Sequence, residues 1–187
     1  NPLQKSDSKK ISLFTNVDEK CVFSIPDVNS IHSIPELLNS QGLDKQITEK
    51  LRLKSKPANL NRWKKVSKLE KNRKGITKIA LVGKYTELAD SYKSVNEALV
   101  HAGIHNKTEV EIEYFDSQNF NNGVKKFKPQ GILIPGGFGG RGIDGMINVA
   151  KFARTKNIPF FGICLGMQVA VIEFARNVLK ISANSTE

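Results

Sequence analysis

Three short apolar runs, each followed within a few residues by glycine and then by a helical pattern, constrain this chain more than any other feature. They are Ile79–Val82, Ile132–Ile134 and Pro159–Ile163. Runs of Ile, Leu, Val and Phe without polar alternation are covered on both faces, which requires a parallel sheet with helices on each side. Two further runs, Ile11–Phe14 and Cys21–Ile25, have the same character and are expected as strands. Glu109 to Phe115 alternates acidic and apolar residues, so a strand with one solvated face is expected there. Helices are expected from Ser33 as N-cap to Gly42, from Asp90 as cap to Gly103, and from Gly145 to Lys156, where Met146, Val149, Ala150 and Ala153 share one face. The expected fold class is α/β, an open, mostly parallel sheet with helices on both faces, occupying the chain from Ile76 onward.

The charge divides the chain. Of the 187 residues, those through Lys78 carry 17 basic and 8 acidic side chains, a net of +9, and the rest carry 12 and 10, a net of +2. The excess is concentrated in Lys45–Lys78, with 13 basic and 2 acidic residues. A near-neutral domain preceded by a basic segment fits this better than a uniformly basic nucleic-acid binder. The expected organisation is a first part over 1–53, a basic linker over 54–76 with a short helix at Leu60–Leu69, and a second domain over 77–187. A phosphate or nucleic-acid patch is the alternative for the linker, but Trp63 is its only aromatic. The longest uncharged stretch, Asn157–Ile172, is shorter than the ~20 apolar residues a membrane helix needs, and Pro159 interrupts it. The first residues show no apolar signal segment, and the chain is expected to start inside a longer protein. With two cysteines and no disulfide framework, a cytoplasmic setting is expected. His101 and His105 have metal-ligand spacing but flank Gly103, so they are expected on the surface, with no metal.

Two loops fall where ligands sit in such sheets, at the carboxyl ends of strands. The first, Pro135-Gly136-Gly137-Phe138-Gly139-Gly140-Arg141-Gly142, has five glycines in eight residues. No Gly-Lys-Ser/Thr follows, so a nucleoside triphosphatase loop does not fit. A flexible turn and a set of N–H donors aimed at an oxyanion both do. The second is Gly162-Ile163-Cys164-Leu165-Gly166. Small residues two before and two after Cys164 allow a sharp strand-to-helix bend that pushes the sulfur outward, as in a nucleophile elbow. The helix that starts there supplies free N–H groups and partial positive charge suited to an anionic sulfur. Cys21, flanked by Val22 and Phe23, is expected to be inert packing. If the loops are neighbours, the N–H groups of Gly137 and Leu165 converge on one oxygen, and the chemistry is acyl transfer through a thioester.

Pro135-Gly136-Gly137-Phe138-Gly139 with Gly162-Ile163-Cys164-Leu165-Gly166-Met167-Gln168 resembles the triad (class I) glutamine amidotransferases. Val82-Gly83-Lys84-Tyr85, Asp90-Ser91-Tyr92-Lys93-Ser94, Phe115-Asp116-Ser117, Arg141–Met146 and Ala183–Glu187 narrow the resemblance to the amidotransferase domain of the CTP synthase family. Lys10–Phe14, Ile25–Ile31 and Leu38–Leu43 resemble the end of that family's P-loop-type α/β synthase domain. The resemblance implies ATP-dependent amination of UTP to CTP with ammonia from glutamine. It implies Cys164 as nucleophile, and Gly137, Leu165, Gln168 and Glu187 as glutamine-binding residues. It places Lys10 at the pyrimidine nucleotide, Pro26, Asp27 and Val28 beside the adenine of ATP, and Arg141, Gly142 and Asp144 in a lid linked to activation by GTP. Lys93 and Tyr85 resemble positions near the ammonia passage. ATP and Mg²⁺, a homotetramer, and no nucleic-acid or membrane partner are further implications.

The departures are specific. The family's base is a His-x-Glu far downstream of the Cys, whereas His32, His101 and His105 all precede Cys164. Its phosphate loop and Mg²⁺-binding carboxylates have no counterpart here. The chain alone is therefore expected to make no CTP and to lack normal glutaminase activity. Two other readings stay open: a Cys-elbow amidotransferase or hydrolase of another pathway, and a basic nucleic-acid-binding or scaffold protein.

Overall fold

A computed structural model describes residues 2–84, 89–118 and 120–186. The chain divides into two compact units, 1–72 and 73–187.

The first unit contains α1 (Lys5–Thr15), α2 (Ile34–Ser40), α3 (Leu43–Lys50) and α4 (Asn61–Lys71), with 3₁₀ turns at Glu19–Cys21 and Ile31–Ser33. The strands expected at Ile11–Phe14 and Cys21–Ile25 do not form. The first lies inside α1, and the second runs from the end of a 3₁₀ turn into a stretch that is neither helix nor strand. A strand needs ladder partners, and no strand occurs among the described residues of this unit. Helix α1 satisfies its backbone locally instead and leaves Leu13 and Phe14 about 79% and 85% exposed. Ser33 does not cap α2 through its side chain. Its Oγ donates to the Ser30 carbonyl at 2.7 Å, while Ser30 Oγ accepts from the His32 N–H at 3.1 Å, so the capping moves one turn upstream. The helix expected within the linker forms as α4 and packs inside this unit. Buried His32 lies with Nδ1 3.3 Å from Glu70, and Ser67 Oγ donates to the His32 carbonyl at 3.3 Å.

The second unit is a parallel sheet of β1 (Ile76–Gly83), β2 (Glu109–Asp116), β3 (Gly131–Ile134) and β4 (Phe160–Gly162), in the order β2-β1-β3-β4. Between and after them run α5 (Lys93–His105), α6 (Phe120–Phe127), α7 (Ile143–Thr155) and α8 (Leu165–Phe174). The apolar runs of β1 and β3 become central strands, with Ala80, Leu81, Val82 and Ile134 inaccessible. Alternate residues serve opposite faces. Ala80, Val82, Ile132 and Ile134 pack with residues of α6, α7 and α8, while Leu81 and Leu133 pack with Val95 and Leu99 of α5. Strand β2 takes the edge with Glu109, Glu111 and Glu113 exposed, which discourages further strand pairing.

Two expected helix ends move. Asp90 lies within a 3₁₀ turn, Ala89–Tyr92, and α5 begins at Lys93. Gly103 is buried inside α5 rather than ending it. A methyl there would come within 2.8 Å of the Thr108 carbonyl oxygen, so the glycine serves close packing against the next strand.

Helices α7 and α8 are joined by a bidentate pair. Arg154 Nε and Nη2 donate to the Glu173 carboxylate at 3.0 and 2.8 Å, and Glu173 is 2% exposed. These hydrogen bonds hold the Arg154 guanidinium above its ordinary value, so it stays charged at any working pH. Arg154→Met strands a buried carboxylate, so we expect thermal melting to fall by several degrees. Adding Glu173→Leu restores much of the loss, because the cost lies in the unpaired charge more than in the absence of the pair. Equal melting of wild type and Arg154→Met would contradict this.

Candidate active site

The topology decides which loops meet. The chain moves to one side of β1 to make β2 and to the other to make β3 and β4, so a crevice opens beyond the carboxyl ends of β1 and β3. Lys84 follows β1, the glycine-rich loop follows β3, and Cys164 follows β4.

Cys164 occupies the bend itself. It is the N-cap of α8, with φ 53° and ψ −106°, and its thiol is exposed. A residue with a Cβ rarely adopts this backbone shape, and such strain concentrates at functional sites. The bracketing glycines explain how the bend is tolerated. A methyl on Gly162 would lie 2.4 Å from the Gly166 carbonyl, and one on Gly166 would lie 2.1 Å from the Ile134 carbonyl oxygen. The Ile163 N–H donates to that same Ile134 oxygen at 2.9 Å, tying the elbow to β3. Within the bend, the Gly166 N–H donates to the Ile163 carbonyl at 3.0 Å and the Gln168 N–H to the Cys164 carbonyl at 3.1 Å. Cys21, by contrast, is half-buried with Sγ 3.6 Å from Gln46 Oε1, beside an apolar cleft lined by Phe23, Ile47 and Leu51.

The glycine-rich loop lies against the elbow. The Cβ position of Gly136 is 3.6 Å from Cys164 Cβ, and that of Gly137 is 3.4 Å from Leu165 Cδ2. Gly137 and Leu165 are thus neighbours, and Leu165, the first residue of α8, has an N–H with no acceptor inside its own helix. Gln168 is exposed in the first turn of α8, the same turn as Cys164.

Lys84 belongs to the Val82-Gly83-Lys84-Tyr85 motif, and the folded chain brings it against the glycine-rich loop. Lys84 is 4% exposed, and its ammonium donates to the Phe138 carbonyl at 2.9 Å and to the Gly139 carbonyl. Its stem passes 3.7 Å from the Gly137 Cβ position, and the Arg141 guanidinium donates to the Lys84 carbonyl. Lys84 thus ties the Phe138 and Gly139 carbonyls of the loop to the end of β1. A lysine directly after a buried strand was the available signal.

The other expected site residues are distributed. Gly142 and Asp144 line a polar cavity of about 320 Å³ with Ser117, Gln118, Gly145 and Asn148, while Arg141 is committed to Lys84. Cys164 does not line that cavity. In the first unit Lys10 is exposed on α1, and Pro26, Asp27 and Val28 lie in the irregular stretch after Cys21. Lys93 is exposed at the start of α5. Glu187 and Tyr85 lie outside the described residues. His101 and His105 are exposed on α5, whose apolar residues cover the face of the sheet opposite to α8. Among the described residues, no group of three or more His, Cys, Asp or Glu side chains is placed to hold a metal ion.

A family model described as glutamine amidotransferase class-I matches residues 87–186, more than half of the sequence. The chain belongs to the class I glutamine amidotransferase family. Residues 1–53 match a second model, described as CTP synthase N-terminus. Among solved structures, the glutaminase domain of Trypanosoma brucei CTPS is 43% identical, with a TM-score of 0.49. That match covers 55% of this chain and 42% of the other.

Proposed function

We propose that this chain supplies the glutamine-hydrolysing centre of a CTP synthase, with Cys164 as nucleophile. The observation that carries the reading is the strained, exposed Cys164 at the head of α8, whose Cβ would lie 3.6 Å from a methyl placed on Gly136 of the glycine-rich loop. Cys164 Sγ attacks the side-chain carboxamide carbon of glutamine. The C=O electrons move to oxygen, where the N–H groups of Gly137 and Leu165 stabilise them. As the oxyanion collapses, the C–N bond breaks, the nitrogen takes up the proton that the thiol gave up and leaves as ammonia, and a glutamyl thioester remains. Water then splits the thioester into glutamate and free thiol. Gln168 and Glu187 hold the substrate, the carboxylate of Glu187 pairing with its ammonium group.

The resemblance extends the reading. Ammonia displaces phosphate from UTP phosphorylated at its 4-oxygen by ATP, giving CTP. Lys10 serves the pyrimidine nucleotide, Pro26, Asp27 and Val28 border the adenine, and Arg141, Gly142 and Asp144 respond to GTP. The complete protein acts in the cytoplasm as a homotetramer. Among the described residues, no group of three or more His, Cys, Asp or Glu side chains fits the Mg²⁺ that accompanies ATP. A general base for the thiol is not among the three histidines of this chain. The isolated chain is therefore expected to hydrolyse glutamine slower than the complete protein by about 10³-fold or more.

An electrophilic glutamine analogue tests the centre. Peptide mapping of the complete protein after labelling is expected to find the adduct on Cys164 and not on Cys21, with protection by glutamine. Equal labelling of both thiols, or labelling that glutamine does not suppress, would remove the assignment.

A further inference from the structure

The loop after β3 is rich in the residue that holds its conformation least. Gly136, Gly137, Gly139 and Gly140 surround Phe138, and Gly139 has φ 76°, a left-handed value that suits glycine. Peptide planes between glycines turn over easily, because no Cβ restricts their φ and ψ. An oxyanion site needs the opposite property, since its donors must be fixed before the charge develops. Contacts from neighbouring elements have to supply that fixity.

Lys84 supplies such contacts to three consecutive residues. It directly follows β1 and is buried. Its ammonium donates to the Phe138 carbonyl at 2.9 Å and to the Gly139 carbonyl. In a trans peptide the C=O and the following N–H point in opposite directions. Drawing both carbonyls toward Lys84 therefore turns the N–H groups of Gly139 and Gly140 away from it. The stem of Lys84 continues the contact. Its Cδ and Cε lie 3.7 and 3.8 Å from the Cβ position of Gly137, and Leu165 Cδ2 lies 3.4 Å from the same point. Gly137 thus rests against both the Lys84 stem and the first residue of α8. The Arg141 guanidinium donates back to the Lys84 carbonyl, so the loop and the end of β1 are tied in both directions. Hydrogen bonds from a cation are roughly twice as strong as neutral ones, and burial strengthens them further.

We propose that Lys84 is a positioning residue for the oxyanion site, fixing Gly137, Phe138 and Gly139 so that the Gly137 N–H meets the glutamine carboxamide oxygen together with that of Leu165. This rests on the reading of Cys164 as nucleophile and of Gly137 as an oxyanion donor. Lys84 itself touches no reacting atom. Its loss leaves the thiol in place on its own bend and loosens the donors that meet the developing negative charge. Substrate binding precedes that charge and changes little.

The test compares three reactions of Cys164 in the complete protein that differ in their need for an oxyanion site. Glutamine hydrolysis passes through a tetrahedral oxyanion. An aldehyde analogue of glutamine, with CHO in place of the carboxamide, adds the thiol across its C=O. The S–C bond forms, the π electrons go to oxygen and the thiol proton ends there, giving a hemithioacetal that mimics the tetrahedral state. Iodoacetamide is attacked at its CH₂ carbon and expels iodide, with no charge on a carbonyl oxygen. Lys84→Met keeps the length and removes the donors. It is expected to lower kcat about 10²-fold with KM within about threefold, and to weaken inhibition by the aldehyde by a similar factor. The rate of Cys164 alkylation should stay within about twofold of wild type, because that reaction makes no oxyanion. Lys84→Arg keeps charge and donors, so its kcat and aldehyde affinity should fall between. Should Lys84→Met not fold, as judged by thermal melting, Lys84→Gln is read in its place by the same comparison. Failure takes distinct forms. If the aldehyde does not protect wild-type Cys164 from iodoacetamide, the reading of Cys164 fails and the role of Lys84 fails with it. If it protects but kcat or aldehyde affinity is unchanged in the variant, only the positioning role is overturned. If all three reactions slow together, Lys84 is a general structural support, and the proposal is equally overturned.

Discussion

Replacing Cys164 by glycine is expected to abolish glutamine hydrolysis in the complete protein and at the same time to raise its resistance to unfolding. The first effect follows from removing the nucleophile, with a loss on the order of 10⁴-fold or more in kcat. The second follows from the backbone. At φ 53° and ψ −106° a side chain is held against its preference, at a cost of order 1–3 kcal/mol. Glycine relieves that strain but adds freedom to the unfolded chain, about 0.5–1 kcal/mol. The expected net gain is about 1 kcal/mol, or roughly 4–8 °C in the melting of a unit of this size. Cys164→Ala is the control: it removes the sulfur and keeps the Cβ, so activity is lost and melting is unchanged. If glycine and alanine variants melt together, the bend stores no strain. If either retains hydrolysis, Cys164 is not the nucleophile.

Gly166→Ala should damage the same centre by a different route. The added methyl would sit 2.1 Å from the carbonyl oxygen of Ile134, an atom of a central strand that cannot swing aside. Either α8 moves off the sheet or β3 gives way. Such overpacking costs roughly 1–3 kcal/mol. Because the thiol sits two residues upstream on the same bend, we expect glutamine hydrolysis to fall about 10²-fold, as a displacement of the order of 1 Å does. Thermal melting and steady-state kinetics check both parts. Wild-type values for both would mean that α8 does not approach β3 as described.

Both variants act at a place that was already legible in the sequence. The bracketing glycines around Cys164 announce a bend that only small neighbours permit, and the described structure has that bend. The runs Ile79–Val82 and Ile132–Ile134 become the centre of a parallel sheet, buried except for the half-buried Ile79, and the alternating acidic run becomes its edge. In each case the determinant lies within a few consecutive residues, so the pattern can be read without knowing what packs on it.

The misreadings have the opposite character. Ile11–Phe14 and Cys21–Ile25 carry the same apolar composition as true strands. Strand formation depends on a partner elsewhere in the chain, and with none beside them one became helix and the other an unpaired stretch. Gly103 looked like a helix stop but is a contact residue, because the reason for a glycine there sits on Thr108 and Val110. The short helix expected at Leu60–Leu69 forms as α4, but its packing through His32 and Glu70, nearly forty residues apart, could not be read locally.

Sequence alone thus determined the α/β class, the elbow and the identity of its thiol, since periodicity, glycine spacing and residue chemistry are local properties. Tertiary structure alone decided that Lys84 lies beneath the glycine-rich loop, that Arg154 grips Glu173, and that Arg176 holds Ala183 and Asn184. Long flexible side chains choose their partners by where the folded backbone puts carbonyls and carboxylates, and that choice leaves no mark on neighbouring residues.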